Sequence, residues 1–162
     1  MIAAVLGAAT PPGRLHKAVA DALERAGEPF AFFDLATPPD LEAVARADAV
    51  LLATPIYRGS FTGVLKTALD ELPVEALQGK PVAIVAMGAT DHHSLGADWH
   101  LRDVLAWFGA LTLPTSVYLT SKTHDSDAGR EQLDQLLATL VTLARVVPKG
   151  LGPAPLAAAR PR

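Results

Sequence analysis

Five short, continuous apolar runs alternate along this chain with segments of helical period, and few folds accept such an alternation. The runs are Met1–Leu6, Pro29–Leu35, Asp48–Thr54, Val82–Met87 and Leu111–Leu119, the last interrupted at Pro114. A run that is apolar throughout marks a strand buried on both faces, which means parallel strands with helices on either side. The helices fall between them. One starts near Arg14 and carries Leu15, Val19 and Leu23 at helical spacing before Gly27 stops it. Asp40 caps a short second one through Arg46. Others run from Thr62 to Leu72, from Leu95 to Phe108 and from Ala128 to Val147, where Pro148 ends the last. With right-handed crossovers, the pattern predicts an α/β three-layer sandwich with a five-stranded parallel sheet of order 2-1-3-4-5. At 162 residues, half of them apolar, the chain has the size of one domain with a sizeable core. Residues 1–147 are expected to form it. Residues 148–162, rich in Pro, Ala and Gly without period, are expected to be a poorly ordered tail.

In that strand order the crevice for a ligand opens between the first and third strands. The loops after the first, third and fourth strands converge there: Gly7–Arg14, Pro55–Phe61 and Met87–His93. The middle loop organises the chain. Pro55 ends its strand for want of an N–H, and Gly59 and Gly63 let the backbone approach a partner closely. Tyr57 and Phe61 can offer ring faces to a flat ligand. Read blandly, the same stretch is a connector with a solvated tyrosine. The first loop runs into a helix N-terminus, where free N–H groups and the dipole favour an anion. The Thr10 hydroxyl and the forked Arg14 cation suit one phosphate, although Arg14 equally suits a solvated first turn. Neither G-x-G-x-x-G nor a P-loop lysine motif occurs.

The fourth-strand loop reads Met87-Gly88-Ala89-Thr90-Asp91-His92-His93. Gly88 admits a ring edge, and Thr90 with the backbone can bond carbonyl and N–H groups. His93, Asp98 and His100 come nearest to a metal set, but their spacing fits no standard zinc pattern. No G-x-S-x-G elbow or carboxylate pair stands out. A site with hydrogen-bonding loops and no evident acid, base or nucleophile leaves the chemistry to a cofactor.

The totals exclude several other classes. A net charge of −3 and a pI near 5.9 give no basic stripe for nucleic acid. There are no cysteines for disulfides or thiolate metal sites. No apolar run approaches the roughly 20 residues of a membrane span and no early signal segment is evident, so a soluble cytoplasmic protein is expected.

The stretch Thr54-Pro-Ile-Tyr-Arg-Gly-Ser-Phe-Thr-Gly-Val-Leu-Lys66, followed by Leu69-Asp70 and Leu72-Pro73, resembles the NAD(P)H-dependent FMN reductases of flavodoxin-like fold. It is most like the reductases that serve alkanesulfonate and methanesulfonate monooxygenases. The resemblance implies FMN as cofactor and NADPH or NADH as electron donor, with no catalytic side chain and no metal. It implies phosphate contacts from Thr10, Arg14, Leu15 and His16. Pro55, Ile56, Tyr57, Arg58, Gly59, Ser60 and Phe61 would wrap the ribityl chain and ring, and Met87, Gly88, Ala89 and Thr90 would border the ring's polar edge. It further implies a homodimer or homotetramer through the helix after the middle loop and the helix Leu95–Phe108, and a flavin-dependent monooxygenase as partner. The first loop departs from the family's serine-rich pattern, which implies weaker FMN binding or reliance on His16 and backbone amides. Ala89 stands where a glycine is usual. Trp99 is expected in a core or interface. Two other readings remain open: a reductase that retains its FMN and acts on quinones, azo dyes or metals, and a flavin-free binding or assembly protein.

Overall fold

The computed structural model describes residues 1–8, 13–91 and 94–153. Its strands are β1 (Ile2–Leu6), β2 (Phe30–Asp34), β3 (Ala49–Pro55), β4 (Pro81–Met87), β5 (Leu111–Thr112) and β6 (Val117–Leu119). The helices are α1 (Arg14–Ala26), α2 (Leu41–Arg46), α3 (Gly63–Glu71), α4 (Ser94–Trp107) and α5 (Asp127–Val146). All strand pairs are parallel and the order is β2-β1-β3-β4-β5, with β6 also on β4. This is the flavodoxin-like arrangement expected from the alternation.

Successive strand residues point to opposite faces, so each central strand feeds two cores. Leu6, Leu51 and Val85 join Val19 of α1 and Leu137 and Leu140 of α5 on one face. Val5, Leu52 and Ile84 join Leu65 and Leu69 of α3 and Leu101 and Leu105 of α4 on the other. The helix ends follow their local chemistry. Gly27 takes a left-handed conformation (φ 65°) to close α1, the Asp40 side chain accepts the Ala43 N–H at the start of α2, and Ser126 caps α5.

The fifth strand expected over Leu111–Leu119 is two strands. Leu111 and Thr112 pair with Pro81 and Val82, and Val117 to Leu119 pair with Val85 to Met87. Of the four residues between them, Leu113 is buried and still donates its N–H to the Val82 carbonyl at 2.8 Å, while Pro114, Thr115 and Ser116 pair with no strand residue, opposite only Ala83 and Ile84. Pro114 has no N–H for the ladder, and its carbonyl accepts from Arg102 of α4 at 3.1 Å instead.

After α5 the chain runs back under the sheet. Lys149 Nζ lies 2.7 Å from Asp48 Oδ1, and Gln78 Nε2 donates to the Gly152 carbonyl at 3.3 Å. Gly79 (φ 63°) packs on the Leu151 backbone so closely that a Cβ there would overlap it. The expected tail therefore starts with a docked segment, and its residues 154–162 lie outside the described residues.

Candidate functional site

The expected crevice lies at the C-terminal ends of β1, β3 and β4, and short hydrogen bonds tie its loops together. The Gly7 N–H donates to the Ala53 carbonyl at 2.7 Å, and the Ile56 N–H donates to the Met87 carbonyl at 2.8 Å. Thr62 joins the first loop to the middle one. Its buried hydroxyl donates to the Gly7 carbonyl at 2.6 Å and accepts the Leu65 N–H at 3.2 Å, capping α3. Its own N–H reaches the hydroxyl of Thr54, which is fully buried.

The middle loop folds into a tight turn. Tyr57 and Ser60 exchange backbone hydrogen bonds at 3.0 and 3.2 Å. Arg58 (φ 56°) and Gly59 (φ 78°) both take positive φ between them. Two central residues of positive φ make a mirror-image turn, which favours Asn or Gly. Arg58 is the one non-glycine residue of positive φ among the described residues. Such strain collects at functional sites. The N–H groups of Arg58, Gly59 and Phe61 donate to no described residue. Tyr57 is 61 % exposed at the base of the turn.

α4 braces the turn from behind. Ser60 Oγ lies 2.9 Å from His100 Nδ1, and Gly96 packs on the Gly59 carbonyl where a Cβ would collide. His100 and Asp98, both considered as metal ligands, are thus engaged elsewhere, Asp98 with Arg102 Nε at 2.8 Å. His92 and His93 lie outside the described residues. Gly96 and His100 stand four residues apart on one helix face, a spacing that links them only once the turn is known to pack there.

Beside the turn, Gly88 is buried and its N–H donates to the Leu119 carbonyl at 3.0 Å. Ala89 and Thr90 are exposed, and their N–H groups donate to no described residue. Tyr118 of β6, a residue the sequence did not mark, donates its hydroxyl to the Thr90 carbonyl at 2.6 Å. Burial, and then the charge of Asp91, push that hydroxyl above the usual tyrosine pKa, so it stays protonated.

The first loop is described only at its two ends, and Thr10 lies outside the described residues. Arg14 is the exposed first residue of α1 and has no hydrogen bond or ion pair with any described residue. Gly13 precedes it without a capping side chain, and the first turn holds no acidic residue. Those N–H groups and the dipole are left for an anion. Leu15 is 5 % exposed in the core and can offer a ligand only its backbone. His16 turns toward β2, edge-on to Phe32 with centroids 5.2 Å apart and 3.7 Å from Asp34 Oδ2. Ile56 is also buried, and Phe61 packs partly on the α3–α4 core, which leaves Tyr57 as the open ring of the middle loop. Trp99, expected in a core or interface, is 71 % exposed in this chain.

A flavodoxin-like sheet whose C-terminal edge carries an uncapped helix start, an open aromatic and amides without described acceptors has the donor set that suits a flat, phosphate-bearing ligand at its switch point. Residues 2–125 match the model of the NADPH-dependent FMN reductase family, and the chain belongs to that family. It is 41 % identical over 81 residues to NADH-dependent FMN reductase SfnF of Pseudomonas fluorescens (strain Pf0-1), a match covering 50 % of this chain and 43 % of that protein. It is 40 % identical over 86 residues to an FMN reductase (NADPH) of Pseudomonas aeruginosa, covering 53 % of this chain and 46 % of that one. The matched stretch spans less than half the length of these curated relatives. Over the whole fold it superimposes on the apo form of the NADH:FMN oxidoreductase EMOB with a TM-score of 0.78, at 26 % identity, covering 99 % of this chain and 96 % of that one.

Proposed function

We propose that this chain is an NAD(P)H-dependent FMN reductase that passes hydride from a nicotinamide to FMN in the crevice between β1 and β3. One observation carries the reading. The strained turn Tyr57–Ser60, with its open ring and with amides that have no described acceptor, and the uncapped start of α1, where Arg14 has no described partner, lie at the same C-terminal edge of the sheet. That donor set suits a molecule with a phosphate at one end and a flat, carbonyl-bearing ring at the other.

Arg14 and the first-turn amides of α1 would bind the phosphate, and Thr10 and His16 are further candidates for contacts to it. The backbone of Pro55–Phe61 would line the ribityl chain and ring, Tyr57 would offer its ring face, and the amides of Ala89 and Thr90 would meet the ring carbonyls beside Met87 and Gly88. Bound FMN supplies the hydride-accepting chemistry, so this chain needs no side-chain acid or base. Its contribution is orientation, because loops tied by the Thr62 and Ile56 hydrogen bonds hold their amides in place without further ordering. Relatives bear both NADH and NADPH in their names, so both donors belong in the assay.

We further propose a homodimer or homotetramer through α3 and α4. Trp99 and Trp107 are 71 % and 49 % exposed on α4, and a groove of about 450 Å³ lined by Leu69, Val74 and Trp107 runs between the two helices. Exposed apolar area of that kind marks an interaction face. The reaction would take place in the cytoplasm, with a flavin-dependent monooxygenase as a receiver of the reduced flavin. Among the described residues no helix is long and apolar enough to cross a membrane.

The test follows NADH and NADPH oxidation by the purified chain with and without added FMN. FMN-dependent turnover with flavin that washes off is the expected result. Flavin retained through purification points to the FMN-holding reductase instead, and no turnover with either donor contradicts the reading. A single monomer mass in light scattering contradicts the oligomer.

A further inference from the structure

We propose that Tyr118 positions the β4 loop for flavin binding, acting through Gly88 and Thr90 rather than by touching the ligand; this rests on the crevice being the FMN site. Its ring packs against a small cluster formed by Ile56 of the middle loop, Ala86 of β4 and Ala97 of α4. Its hydroxyl reaches past Gly88 to the Thr90 carbonyl at 2.6 Å. The fit over Gly88 is close enough that a Cβ there would overlap the hydroxyl oxygen. The next residue, Leu119, accepts the Gly88 N–H at 3.0 Å.

Two consecutive residues of β6 therefore hold the β4 loop at two points. Between those points the loop is exposed, and without them nothing described would fix the direction of the Ala89 and Thr90 amides. A hydroxyl on a half-buried ring that bonds a loop carbonyl favours one backbone conformation of the loop, which is how a binding site is preorganised. Ile56 adds a link, because its N–H bonds the Met87 carbonyl while its side chain belongs to the cluster on which Tyr118 packs. The middle loop and the β4 loop thus share one support. Its influence falls on the ring side of the crevice and spares the phosphate side at Arg14.

The experiment titrates the full chain with FMN and with riboflavin, which lacks the phosphate, comparing wild type with Tyr118→Phe, Gly88→Ala and Arg14→Ala. Tyr118→Phe removes one hydrogen bond and keeps the ring, so it is expected to weaken both flavins by the same factor, about five- to tenfold. It should also shift the bound flavin's visible spectrum and speed amide exchange at Gly88–Asp91 in the apo-protein. Arg14→Ala should weaken FMN and leave riboflavin unchanged. Gly88→Ala displaces the hydroxyl instead of deleting it and should reproduce the Tyr118→Phe losses, so it decides the matter if that variant does not fold. Wild-type affinity, spectrum and exchange in a folded Tyr118→Phe overturn the proposal and leave the FMN reading standing. Failure of the wild type to bind either flavin overturns the FMN reading, and this inference with it.

Discussion

At the N-terminal ends of the strands, charged groups are satisfied by one another. The Met1 ammonium sits 2.6 Å from Asp48 Oδ2, Lys149 lies 2.7 Å from the other oxygen, Lys80 donates to the Ala45 carbonyl, and Arg46 pairs with Glu42 at 3.1 Å. At the C-terminal ends, Arg14 has no described partner, Arg58 is held at positive φ, Tyr57 is exposed, and five loop amides lack described acceptors. The same sheet thus ends in a closed polar network on one side and an open one on the other. A closed network serves stability. An open one, held by a few buried bonds, serves a ligand that completes it.

The contrast can be broken most forcefully at Thr62. Thr62→Val keeps the shape and orphans both the Gly7 carbonyl and the Leu65 N–H. A loss of about 2–3 kcal/mol in urea unfolding is expected, together with weaker flavin binding. A loss below about 0.5 kcal/mol would mean that the crevice loops are held by something other than this hydroxyl.

Arg58→Gly acts in the opposite direction. Glycine accepts φ 56° without strain, so the variant should gain about 0.5–1 kcal/mol in thermal unfolding, even after its greater unfolded-state freedom is counted. A destabilised variant would show that the arginine side chain supports the turn.

The smallest effect belongs to the closed end. Hydrogen bonds from Lys149 and the N-terminus lower the Asp48 carboxyl from 3.8 to about 2. Because the folded-state value is depressed, the stabilisation is present above about pH 4 and is lost as pH falls toward 2. The pairs are solvent-screened, so Asp48→Asn should cost only about 0.5 kcal/mol at pH 7 and should flatten the acid limb of the melting curve. An unchanged acid limb would mean that this network contributes nothing measurable.

Most of the fold was legible because burial on both faces leaves a plain mark. The apolar runs of β1, β3 and β4 and the stripe of α5 could be read directly, as could the caps at Gly27 and Asp40. The break at Pro114 was visible as an interruption, but the pairing of β4 with two short strands depends on the unpaired Pro114, Thr115 and Ser116 and on Arg102, which periodicity does not record. Of the site, the loop Pro55–Phe61 was readable from its proline, its glycine and its place between strand and helix. The packing of Phe61 and the braces from His100, Gly96 and Tyr118 were not. Each depends on which element lies behind a loop, and that follows from three-dimensional contact between segments about 30 to 40 residues apart.

The central claim is that the open end of the sheet is an FMN site with its phosphate at α1. Equilibrium titration of the apo-protein with FMN, followed by tryptophan and flavin fluorescence, tests it most directly when Arg14→Ala is run beside the wild type. Saturable binding that the substitution weakens about tenfold is the result expected for one charge-assisted phosphate contact. No binding by the wild type up to millimolar FMN would contradict the account and leave a flavodoxin-like fold without flavin.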